Sequence, residues 1–112
     1  MVTLRAVRTF AISLPEVTEQ DHHGFPSFRV RNKIFVTVPG PLHIHVMLDE
    51  PEVRMAAASA PQAFAELWWG KRLAGVRVTL AAAPSRLLTT LITEAWRRRA
   101  PRLLAALPKT PS

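Results

Sequence analysis

Cysteine is missing from all 112 residues. Neither a disulfide framework nor a thiolate zinc site can be built, and the core must stand on packing alone. That fits a reducing compartment, so a cytoplasmic location is expected. Glycine is scarce, with four in the chain, too few for a Walker or Rossmann phosphate loop. Long apolar runs are also absent. None approaches the ~20 residues that span a bilayer, and Arg5 and Arg8 interrupt the mildly apolar start MVTLRAVRTFAISL. Neither a membrane segment nor a signal peptide is expected. Acid is in short supply: eight Asp and Glu face fifteen Lys and Arg, for a net charge of +7. Such an excess attracts phosphate polyanions by Coulomb steering and counterion release. Twelve of the fifteen are arginine, whose planar fork suits phosphate, although an Arg-, Ala- and Pro-rich chain also follows from genomic base composition.

The length suits one compact domain that buries roughly two thirds of its unfolded surface. A single domain over 1–107 is expected, with the tail PKTPS, 108–112, disordered. Leu4, Val7, Ala11 and Leu14 recur at helical spacing, which predicts a first helix capped by Thr3 and closed by Pro15. The polar stretch EVTEQDHHG reads as a loop. From Ser27 the period becomes two, with Phe28 and Val30 on one side and Arg29 and Arg31 on the other. IFVTV, 34–38, makes a second strand. A two-residue Arg31-Asn32 turn would pair Phe28 with Phe35, and a three-residue loop would pair it with Val36. Both registers remain open. HIHVMLD predicts a third strand and EPEVRMAAAS a helix with Pro51 in its first turn; Phe64, Leu67, Trp68 and Trp69 fit a helical turn or a short strand about equally, with a short fourth strand near Leu67 to Trp69 preferred, and GVRVTLA makes a fifth. Pro84 and Ser85 open a last helix with an apolar stripe from Leu87 to Trp96 and Arg97, Arg98 and Arg99 in its final turn, where cations oppose the negative end of the macrodipole. A short apolar piece, RLLAAL, follows.

The order α-β-β-β-α-β-β-α predicts an α/β (α+β) fold: a single antiparallel sheet of about five strands with helices packed on one face. The other face then collects Arg29, His43, His45 and Arg77, with Thr79 among them, and is basic.

Several of these segments resemble the MmcQ/YjbR-like proteins in order and spacing. They are LPEVTEQDHH, GFPSFRVRNKIFVTV, WWGKRLAGVRVTL and ITEAWRRRAP, from about Phe10 to Pro101. The most specific part is Gly24, Pro26, Phe28, Arg29 and Val30, followed by Lys33 and Phe35; Trp69-Gly70 and Glu94-Ala95-Trp96 add to it. The resemblance implies a secretion-chaperone-like or CyaY-like fold, described as a double-wing arrangement and labelled DNA-binding, with no catalytic motif to carry over. Two departures stand out: Arg31-Asn32 occupies a turn where members often have glycine, and Gly75-Val76 a place where many have a bulkier residue.

Arg29, Arg31 and Lys33 along one hairpin, with Arg77 on a neighbouring strand, are the candidate contacts to DNA or RNA phosphates. The bland alternative is a solvated face that discourages edge pairing. Phe35, Trp68 or Trp69 would stack a base if exposed. His43 and His45, two apart on a strand, could hold a metal, but wet polar histidines are the commoner outcome, and neither metal nor cofactor is expected. Serines sit at caps and turns, no GxSxG elbow occurs and the carboxylates fall mainly in loops, so no enzyme is expected. The competing expectation is a protein-interaction or chaperone-like module that forms a homodimer or holds a partner near Trp68 and Trp69.

Overall fold

The computed structural model describes residues 2–105. The first helix, α1 (Leu4–Ser13), starts where expected: the Thr3 hydroxyl accepts from the Ala6 amide at 3.1 Å, satisfying one of the amides that a helix start leaves open. Leu14, held extended by the following proline, ends it. Six strands follow: β1 (Val17–His22), β2 (Phe25–Val30), β3 (Lys33–Thr37), β4 (His43–Met47), β5 (Phe64–Trp69) and β6 (Arg72–Thr79). They form one antiparallel sheet in the order β1-β2-β3-β4-β6-β5. The helix α2 (Glu50–Ser59) lies between β4 and β5 in the chain, and a 3-10 turn (Leu80–Ala82), α3 (Ser85–Arg99) and a short α4 (Arg102–Ala105) close it.

The α+β class and the single antiparallel sheet match expectation, but the sheet has six strands rather than five. The extra strand is β1, expected as a loop. No residue of VTEQDH is buried, so this edge strand lacks the apolar alternation that reveals the others. Its reversal into β2 uses His23 and Gly24, both at positive φ (54° and 86°), the twist that suits a two-residue hairpin turn.

The β2–β3 hairpin combines both registers the sequence left open. Its turn has two residues, Arg31 and Asn32 at φ 49° and 67°, with Val30 opposite Lys33. Phe28 nevertheless faces Val36, because Phe35 is an extra residue between the Arg29–Ile34 and Phe28–Val36 pairs. Such a bulge sends two successive side chains the same way, and Phe35 and Val36 are both fully buried. Phe35 is therefore core, and the stacking role considered for it is withdrawn.

All three longer helices cover one face of the sheet. Val7 and Ala11 of α1, Val53 and Ala56 of α2, and Leu88, Leu91, Ile92 and Trp96 of α3 pack in one cluster with Phe28, Val36, Val46, Phe64 and Val76. Trp96 is buried, and its Nε1 donates to the Pro15 carbonyl at 3.0 Å, which satisfies the ring's polar atom and ties α3 to the end of α1. Gly75 now has a structural reason: a Cβ there would overlap the Val46 carbonyl of β4. The tail expected at 108–112, and the last residues of the expected domain, lie outside the described residues.

Candidate functional site

Cross-strand partners share a face, so the register defines the side left bare by the helices. Thr18, Arg29 and Ile34 form one row across β1, β2 and β3. Thr37, His45, Arg77 and Ala65 form another across β3, β4, β6 and β5, with His43 opposite Thr79 beside it. Their strand neighbours Phe28, Val46 and Val76 point into the core. Arg29, His43, His45, Arg77 and Thr79 thus share the open face, as the alternation predicts.

No carboxylate stands in the paired rows of that face. All eight carboxylates fall within the described residues. Glu19, Asp21 and Glu66 stand at helix-side register positions opposite Phe28, Pro26 and Val76, Glu16 precedes β1, and the other four lie on or beside α2 and α3. They gather arginines to that side: Arg8 pairs with Glu19 at 2.8 Å, Arg54 with Glu50 at 3.0 Å and also with Glu66, Arg97 with Glu94 at 3.9 Å and Arg98 with Asp49 at 2.7 Å. Among the described residues, Arg29, Lys33 and Arg77 have no carboxylate partner.

The four basic candidates separate. Arg29 is half-buried and braced, its Nε donating to Ser27 Oγ at 3.1 Å and its Nη2 to the Asp21 carbonyl at 3.2 Å. Arg77 is exposed beside His45. Lys33 reaches the rim of a recess in the open face. Arg31 does not join them: both its Nε and Nη2 donate to the Glu16 carboxylate. That hydrogen bond, with the Coulomb attraction, holds the guanidinium above its ordinary value and the carboxyl below its own.

The recess has a volume of about 740 Å³ and no carboxylate in its lining. Ile34, Thr37, His45 and Met47 lie along it with Arg29, and Trp69 and Arg99 stand in its wall. Arg99 is the candidate that sequence reasoning could not separate from Arg97 and Arg98. Of three consecutive arginines, Arg97 turns to Glu94, and Arg98 turns to Asp49 and donates to the Met47 carbonyl at 2.9 Å. Arg99 lines the recess instead, its Nε buried without a hydrogen-bond partner in the chain. Burial, followed by repulsion from Arg98 and Arg72, lowers its pKa. The arginine run was legible as a helix-end cation cluster. Which member turns toward the sheet depends on where the end of β4 lies.

His45 occupies the same floor. Burial is the first cause lowering its pKa, with Arg77 and His43 adding repulsion, and its Nε2 is buried without a hydrogen-bond partner. His43 and His45 share the face as expected, and among the described residues no group of three or more His, Cys, Asp or Glu is placed to hold a metal. No helix among the described residues is long and apolar enough to cross a membrane.

The YjbR family model matches residues 12–98. The chain belongs to the YjbR family. Among solved structures, this YjbR chain is similar to the Deinococcus radiodurans protein DR2400, described as carrying domain DUF419. That likeness has a TM-score of 0.76 at 19% identity, covering 100% of this chain and 94% of the other. At that identity it establishes a shared fold. No curated protein matches the chain. The family match spans β2, β3, β4 and β6, the strands that contribute Arg29, His45 and Arg77 to the open face and Lys33 to the rim of its recess.

Proposed function

We propose that this YjbR protein binds DNA through the open face of its sheet, by phosphate contacts with little sequence preference and without a cofactor. The observation that carries the reading is the partition of charge: no acid stands in the paired rows of the open face or in the lining of its recess, while Arg29 and Arg77 occupy that face without a carboxylate partner. A polyanion docking there meets attraction with no carboxylate to repel it. The face offers no helix to enter a major groove, so contacts to the backbone dominate. The lining, cationic donors set among apolar walls, supports a binding role.

The test is anisotropy of a labelled oligonucleotide across a salt series. Log affinity should fall linearly with log salt, and Arg29→Ser with Arg77→Ser should flatten the slope by about one unit per lost phosphate contact. Binding that ignores salt, or a slope unchanged in the double variant, overturns the proposal.

One observation favours a second reading, in which the protein holds a protein partner or a second copy. Edge strand β5 presents Trp68, 47% exposed, on its helix side, and Met55 of α2 is 43% exposed. Strand addition at such an edge is a known recognition mode. Sedimentation at several concentrations tests it for self-association: an unchanging monomer mass removes the dimer.

A further inference from the structure

Trp68 and Trp69 are adjacent in sequence, but the structure sends them to opposite sides of the sheet. Trp68 pairs with Leu73, and its Nε1 donates to Glu66 at 3.1 Å on the helix side. Trp69 lines the recess, 51% exposed, with the Arg72 guanidinium 5.4 Å from its ring centre. A cation over one ring face fixes the indole without enclosing it. Phe25, 49% exposed, and half-buried Ile34 line the same recess.

This mixture distinguishes between two forms of nucleic acid. A duplex keeps its base faces stacked inside and offers phosphates outside, so it would cover Phe25, Ile34 and Trp69 without giving them a partner. A single strand offers both groups, and proteins that bind one combine a cationic track with aromatic platforms. The volume of about 740 Å³ falls within the roughly 300–1,000 Å³ of pockets that enclose a small ligand, the scale of a base with its sugar rather than of a double helix. We infer that the recess accepts single-stranded DNA, one base stacked on Trp69 and the adjoining phosphates held by Arg99 and Lys33. The inference rests on the proposed DNA-binding function and adds the strand state to it.

Trp96 is buried and bonded to Pro15, so in a Trp68→Phe background a change in tryptophan fluorescence on adding DNA reports Trp69. Oligothymidylate is expected to quench that emission strongly by stacking, and a blunt duplex of equal length to change it much less. Trp69→Ala should weaken oligothymidylate binding about fivefold or more, the usual effect of losing one stacking ring. Duplex affinity should stay the same, and Trp69→Phe should restore most of the loss. Half-exposed Trp69 lies outside the core, and a thermal melt of each variant checks the fold. Duplex and single strand bound equally, with Trp69→Ala affecting neither, overturn the inference and leave the basic-face proposal standing. Binding of neither form at low salt overturns both.

Discussion

The two faces of the sheet come from the same six strands and obey opposite rules. The helix-side face is a close-packed apolar layer, with carboxylates and arginines neutralised in pairs around it. The open face is a shallow basic recess in which cations are braced by hydroxyls and carbonyls, as Arg29 is by Ser27 and Asp21, and are left without counterions. Stability is concentrated on one face and unspent charge on the other, so substitutions on the two should have separable effects.

The largest expected effect tests the packed side. Phe28→Ala, at a site 1% exposed, should destabilise the fold by about 3–5 kcal/mol in denaturant titration. Next comes the strand geometry: Gly75→Val forces a Cβ against the Val46 carbonyl, and should lower the melting temperature by more than any single open-face substitution. Third, Arg29→Ser with Arg77→Ser should leave the melting temperature within a few degrees while weakening DNA binding at low salt. A large fall in melting temperature would mean the open face is structural after all.

A pH series sharpens the contrast further. The His45 pKa is lowered in the folded state, by burial first. Between its folded value and the unfolded value of about 6.5, the unfolded chain binds more protons, so its contribution to stability is present above that window and is lost as pH falls through it. The titratable and charged groups around it are His43 and Arg77 and, along the recess, His22, His23, Arg29, Lys33 and Arg99. A DNA phosphate would favour the protonated ring, so binding should tighten over the same fall in pH, with opposite signs for affinity and stability. His45→Gln should flatten both. The smallest effect is expected for Arg31→Gly. Its pair with Glu16 is exposed and worth little, glycine suits the positive φ, and DNA affinity should not change.

Much of this was legible in the chain. Alternation assigned Arg29, His43, His45 and Arg77 to one face because their neighbours are apolar and buried. It missed β1 because an edge strand with polar residues on both sides has no period to detect. The fate of Phe35 was hidden by the bulge, which breaks the two-residue rule at one position. Arg31 looked equivalent to Arg29 because parity says nothing of Glu16, fifteen residues earlier in the chain and brought beside the turn by folding. Arg99 was hidden for the same reason, since its neighbours come from the far end of a different strand.

The junction of α3 with β4 has a mechanical corollary. Arg98 fastens the last turn of the helix to the Met47 carbonyl and to Asp49, so the next side chain, Arg99, is mounted on a clamp rather than on the sheet floor. Releasing the clamp with Arg98→Ala should let the terminal turn fray, raising amide exchange at Ala100, whose N–H bonds to Trp96. One wall of an otherwise rigid cradle would then come loose, and a bound guest should depart sooner while arriving at an unaltered speed.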